Sequence, residues 1–249
     1  MMRRKSFGAV MIAAIAFASF AIPVLASDQE LATGERLAAV LRAGRSVISN
    51  HQSLINDESI AEKNLPGQRV VDEALELYAQ REGKSLEPEN LSDLDKQLFE
   101  AQIAAMREIV DENQDLIDAE GIGFKGFIPA IFARLVNERF AEKVGNLAQT
   151  KVTAPVDIVR NRKATPDEWE RNVLESKFQT SAWERGKPYF DEVEKNGKPA
   201  FRMLIPEYYS ASCLTCHGQP KGEVDVTGYP KEGGAEGDLA GAISITLFR

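Results

Sequence analysis

Cysteine and histidine are nearly missing from this chain: its 249 residues include two of each. Two cysteines allow at most one disulfide, and two histidines leave little from which to build a closed zinc site, which normally needs four protein ligands. Basic charge is also short, with 30 Lys and Arg against 38 Asp and Glu. That balance excludes a broad nucleic-acid surface, which requires basic patches on the phosphates. After the first 26 residues no apolar run is long enough to span a bilayer.

The start of the chain has what the rest lacks. Arg3, Arg4 and Lys5 precede an apolar stretch from Gly8 to Pro23, and Val24-Leu25-Ala26 stands before Ser27. This is the pattern of an export signal cleaved after Ala26, with a retained membrane anchor as the alternative. Cleavage leaves 223 residues in the periplasm, with 27 basic and 38 acidic side chains and a formal charge of −11. Residues 27–249 then read as one domain, mainly helical over 27–150 and sheet-forming over 151–249.

Residues 29–56 repeat apolar side chains at spacings of three and four, with Leu37, Leu41, Gly44, Ile48, His51 and Ile55 on one face. Further helices are predicted from Pro66 to Gln80, Leu91 to Ile117 and Phe127 to Val144. An internal echo links two of them. Gln52, Leu54, Ile55, Ile60 and Lys63 align without gaps to Gln114, Leu116, Ile117, Ile122 and Lys125, either as an old duplication or as a chance match of amphipathic helices. Beyond Lys151 the pattern changes. A short helix is predicted with Thr165 as N-cap, Pro166 at the first position and Glu168 in the capping box. Asn196-Gly197 marks a hairpin, after which Phe201, Met203 and Ile205 share a face, and "AGAISITLF" supplies a last strand. The class is α+β: an antiparallel sheet preceded by long helices.

Both cysteines and one of the histidines fall within five residues, Cys213-Leu-Thr-Cys216-His217. This is the attachment pattern of haem c. Each thiol adds across a haem vinyl, its hydrogen passing to the neighbouring carbon, and His217 becomes the proximal iron ligand. Alternatives are a redox disulfide, disfavoured by the adjoining histidine and the absence of a βαβ setting, and a zinc site completed by His51 or a carboxylate.

For the sixth iron position His51 is favoured, as the only other histidine and one on the apolar face of its helix, with Gly44 two turns back leaving room for a macrocycle. Met106 and Met203 compete, although methionine is also a common core filler. An open position would suit a diatomic gas. The loop over residues 218–241 holds seven glycines and is expected to wrap the haem edge; its Asp225, Glu232, Glu236 and Asp238 lack the spacing of a calcium loop and read as solvated. Arg160, Arg162, Lys163 and Arg202 are candidate partners for the haem propionates.

With "SCLTCHGQPKG" (212–222), "GYPKEGGAEGDLAGAISI" (228–245), "FRMLIPEYY" (201–209) and "IVRNRKATPDEWE" (158–170) in view, the sequence resembles the Tll0287-like haem domains from about residue 30 onward. The resemblance implies a PAS-like antiparallel sheet with long N-terminal helices and one covalent haem c. It also implies Cys213 and Cys216 as thioether residues and His217 as proximal ligand. Such domains stand alone or serve as the sensing part of signalling proteins; this chain shows no output module. Distal ligation varies in the family, and a distal cysteine is excluded here because none remains outside the motif.

A one-electron carrier, with a redox protein as partner, and a redox or gas sensor both fit. An enzyme of peroxidase type would need an open iron and a distal acid–base group; if His51 binds iron, no histidine remains for that task, so a non-enzymatic role is expected. A structural haem protein or an interaction module without haem is the remaining reading.

Overall fold

The structure, a computed structural model, describes residues 24–86 and 91–249. The export signal assigned to residues 1–26 lies outside them, apart from the backbone of 24–26, which opens the first helix. Among the described residues no helix is long and apolar enough to cross a membrane.

The predicted helices form at α1 (Val24–Asn50), α3 (Gly67–Glu82), α4 (Asp93–Glu112) and α6 (Pro129–Val144), with one-turn extensions α2 (Gln52–Ile55) and α5 (Gln114–Asp118). Their boundaries have local causes. Pro66 precedes α3 and Pro129 opens α6, where a missing N–H costs nothing; Ser92 caps α4 by accepting from Asp95 N at 3.1 Å. The apolar stripes meet in one core containing Leu37, Leu41, Ile48, Leu98, Met106 and Phe132, all at 1% exposure or less.

The internal echo corresponds to repeated structure. Asp118 accepts from the backbone N of Lys63 at 2.8 Å, and Asn56 accepts from the backbone N of Lys125 at 3.0 Å. Both lysines are buried, with their ammoniums on backbone carbonyls, Lys63 on Asp57 O and Lys125 on Ile55 O, each at 2.7 Å. Burial, reinforced by the facing Lys63, lowers the Lys125 pKa. Gly44 meets its own echo position: a Cβ there would lie 3.1 Å from Met106 Sδ and 3.2 Å from Phe132 Cε1. The room expected beside Gly44 for a macrocycle is therefore filled by Met106 and Phe132, because the helices close on each other at the glycine.

Strands β1 (Ala148–Thr153), β2 (Tyr189–Lys195), β3 (Lys198–Tyr208) and β4 (Leu239–Phe248) form an open antiparallel sheet in the order β1-β4-β3-β2. With the long helices before it, this is a PAS-like α+β arrangement. Asn196 and Gly197, at φ 54° and 75°, make the predicted hairpin turn between β2 and β3. Phe201, Met203 and Ile205 pair with Leu247, Ile245 and Ile243, and all six join the helical core. On the opposite face Leu204 and Ala242 pack with Val173, Leu174 and Phe178, flanked by Trp169, Trp183 and Tyr189. Burial on both faces explains why Ala200–Pro206 is covered without alternation.

The short helix that follows the linker, α7 (Glu168–Val173), starts later than its sequence suggests. Asp167, rather than Thr165, is the N-cap: it accepts from Glu170 N at 3.0 Å, and Glu170 returns the bond to Asp167 N at 2.8 Å. Arg202 reaches this cap from the sheet, binding Asp167 at 2.7 Å and Glu170 at 3.2 Å.

Candidate functional site

At the end of β3 the pairing register shifts between Glu207 and Tyr208, a bulge that turns the chain out of the sheet toward the pentapeptide. Arg42 and Arg45 of α1 hold that corner through Glu207, at 2.6 and 2.7 Å. A 3₁₀ turn (Ala211–Cys213) then runs into α8 (Leu214–His217). Positions three apart on a helical turn share a face, so Cys213 and Cys216 are presented together. Both thiols are free and partly exposed. Burial, then the charge of Asp225, raises the Cys216 pKa, opposite to the depressed value of a redox-active cysteine.

His217 is held on two sides. Its Nδ1 lies 2.8 Å from Glu232 Oε2, and its ring stacks on Tyr209 at 5.2 Å between centroids and 26° between planes. Tyr209 is backed by Gly234, where a Cβ would lie 2.6 Å from the tyrosine ring, so only glycine admits it. Burial, with the nearby Glu232 charge, pushes the Tyr209 phenol up to about 12. The ring orientation is thus fixed with Nδ1 bonded and Nε2 left for a ligand.

Glu232 belongs to a partly buried charge cluster. Arg160 grips it with two bonds, Nε to Oε1 at 2.6 Å and Nη2 to Oε2 at 2.9 Å. The same guanidinium reaches Asp225 Oδ2 at 2.6 Å and the carbonyl of Cys216 at 2.8 Å. Asp225 also accepts from Thr227 N at 2.7 Å and Thr227 Oγ1 at 2.6 Å. Burial works to raise both carboxyls, but Arg160 and these donors outweigh it. Glu232 is held below the ordinary carboxylate range and Asp225 well below it. Conversely Arg160 is raised, since its carboxylate bonds exceed the cost of burial.

The glycine-rich loop is therefore structured where it touches the motif, not simply solvated. Residues 222–231 form a small hairpin, with Gly222 N on Lys231 O at 2.9 Å and Asp225 N on Tyr229 O at 2.8 Å. Val224 and Val226 on it are 65% and 57% exposed, apolar surface beside the two thiols' segment. Sequence reasoning missed Glu232 and Asp225 as site members. A usable signal was present: Gly222, Gly228, Gly233 and Gly237 all take φ between 82° and 88°, so the spacing of glycines marks ordered turns that hold the acids between them.

Among the candidates, the structure brings Cys213, Cys216, His217 and Arg160 together. Arg160 has its donors on Glu232, Asp225 and Cys216 O, not facing outward toward a propionate. Arg202 lies elsewhere, on the outer sheet face, paired with Asp167 and Glu170 and stacked 4.3 Å from the Trp169 ring. Met203 is fully buried, its methyl packed over Gly34 of α1, and Met106 is likewise core. His51 sits between α1 and α2 with its Nε2 2.6 Å from Glu73 Oε2 of α3. It lies nine residues beyond Arg42, about 180° around the helix, on the side away from the Glu207 corner. Its ring bonds within the helical bundle, and among the described residues no hydrogen bond links its ring to the pentapeptide or its loop.

The donor set fits haem c. It offers two free thiols on one turn and one imidazole with Nδ1 committed and Nε2 available. No group of three or more His, Cys, Asp or Glu side chains converges on a metal-sized point among the described residues. Compared with known families, residues 28–247 match the Tll0287-like family. The chain belongs to the Tll0287-like family. As a member it carries a PAS-like domain of the sensor or carrier type, and the family match spans the helices, the sheet and the pentapeptide alike. No curated protein and no solved structure matches the chain.

Proposed function

We propose that this Tll0287-like protein is an exported, periplasmic c-type haem protein acting as a redox or diatomic-gas sensor. Cys213 and Cys216 hold the group through thioethers and His217 Nε2 is its protein axial ligand. The observation that supports this best is the single imidazole preset at the pentapeptide, with Nδ1 bonded to Glu232 at 2.8 Å and the ring stacked on Tyr209. Bound there, haem supplies a one-electron iron couple and a coordination site for a small ligand.

The sensor reading is preferred to the carrier reading because of where the other candidate ligands sit. His51 Nε2 is committed to Glu73, and Met203 and Met106 are buried in the core. A six-coordinate carrier with His51 as distal ligand would require His51 to leave Glu73 and α1 to move relative to the sheet. An enzymatic role is not proposed, since the chain's one further histidine is engaged by Glu73.

The test is expression with periplasmic haem maturation, followed by intact mass, pyridine haemochrome and visible spectra in both oxidation states. One haem per chain, resistant to acid–acetone extraction, is the expected result. A chain of unmodified mass would overturn the haem assignment. The His51→Ala variant then separates the two roles: an unchanged spectrum supports the sensor, whereas a change from low to high spin establishes the His217/His51 carrier.

A further inference from the structure

We infer that Glu232 is a positioning residue that sets the donor strength of the axial histidine, and that Arg160 sets how strongly Glu232 does so. This rests on the haem reading above and extends it to residues outside the pentapeptide.

A carboxylate that accepts the Nδ1 proton of an imidazole makes Nε2 the lone-pair nitrogen and increases its basicity. A more basic axial ligand favours ferric over ferrous iron, so the reduction potential falls. Glu232 has the required geometry: Oε2 is 2.8 Å from His217 Nδ1, with the carboxylate side chain only 12% exposed. His217 itself is 31% exposed, so the carboxylate is the better shielded of the two partners.

The carboxylate is not left to act alone. Its Oε2 is shared between His217 Nδ1 and Arg160 Nη2 at 2.9 Å, while Oε1 takes Arg160 Nε at 2.6 Å. Arg160 therefore draws negative charge away from the imidazole. It is itself oriented by Asp225, whose side chain is fully buried, and by the Cys216 carbonyl. The chain has built an acceptor of intermediate strength from residues 160, 225 and 232, which meet only in the fold. Because Arg160 also bonds the carbonyl next to His217, any shift of the pentapeptide alters the same network.

The experiment uses haem-loaded full-length protein, with haem content fixed by pyridine haemochrome. Midpoint potentials come from spectroelectrochemical titration. Ferric electron paramagnetic resonance reports the ligand field of the axial imidazole, which a general loosening of the loop would not shift in a defined direction. Glu232→Gln removes the charge while keeping the shape, and its midpoint is expected to rise with a weaker axial field. Arg160→Gln releases Glu232 toward Nδ1, and its midpoint is expected to fall with a stronger field. Glu73→Gln, at the other histidine, is expected to change neither. Unmoved spectra and potential in Glu232→Gln, or the same direction of change in both site variants, overturns the inference. Failure of both variants to acquire haem, when wild type does so, also overturns it by making the cluster a maturation element. A wild type without haem is a different outcome and defeats the functional reading itself.

Discussion

Both histidines of this chain are paired with a glutamate that also binds an arginine, and the two arrangements have opposite consequences. At the end of the helical bundle His51 gives Nε2 to Glu73 at 2.6 Å, and Glu73 takes Arg69 from the preceding turn of its own helix at 2.8 Å. In the glycine-rich loop His217 gives Nδ1 to Glu232, and Glu232 takes Arg160 from a linker far away in sequence. Nε2 projects outward from an imidazole, whereas Nδ1 lies close to its own backbone. Occupying Nδ1 thus prepares His217 for a ligand, and occupying Nε2 withdraws His51 from one. The comparison teaches that histidine count says little about metal binding until the second nitrogen's partner is known.

The sharpest way to break this contrast is to remove each imidazole. His217→Ala is expected to lower haem per chain about tenfold or more, measured by haemochrome, while His51→Ala keeps wild-type loading. Equal losses would make the two histidines a ligand pair and end the distinction. Next in size is the difference between the supporting ion pairs. Asp225 has no exposed side-chain surface, and Asp225→Ala removes one of Arg160's two carboxylate partners together with the acceptor of Thr227, while the bonds from Arg160 to Glu232 remain. A loss of about 1–3 kcal/mol is expected in urea unfolding. Arg69 is 44% exposed, and Arg69→Ala is expected to cost below about 1 kcal/mol in the same assay.

Acid sharpens the comparison further. Burial would raise the Glu73 carboxyl, but the His51 and Arg69 bonds hold it below its ordinary value of 4.5. A carboxyl depressed in the folded state contributes stability that is fully present above its ordinary value and lost as pH falls through its lower folded value. Glu73→Gln should therefore flatten the decline of stability below pH 4.5, measured by urea midpoints along a pH series. An unchanged slope would show that the His51–Glu73 contact does not persist in solution. The effect is expected to be the smallest of those named except Arg69→Ala, since Glu73 is one-third exposed.

Local features of the sequence announced themselves because their physics is local. The 3.6-residue periodicity specified α1, α3, α4 and α6, Asn196-Gly197 specified the hairpin, and the Cys213–His217 spacing placed two thiols on one turn. Even the echoed turns were visible as matching side chains, because each lysine caps carbonyls a few residues away or in its counterpart. The N-cap of α7 was legible but misplaced. Thr165-Pro166 is a sound helix start by itself, but Asp167 and Glu170 repeat the capping-box pattern two residues later, and Arg202, arriving from the sheet, binds both of them. The room beside Gly44 was misread for a similar reason: a missing side chain looks like space until Met106 and Phe132 close on it.

The sequence by itself determined the Cys213–His217 pentapeptide, the helices and the strand pattern, since these depend on residues within a few turns of one another. Tertiary structure alone decided which histidine has its Nδ1, rather than its Nε2, committed to a glutamate. That choice rests on Glu232, 15 residues after His217, and on Arg160, 57 residues before it. Hydrogen bonds over such separations exist only after the chain has folded, because the cost of closing those loops is met by the packed core as a whole. The same packing holds His51 against Glu73.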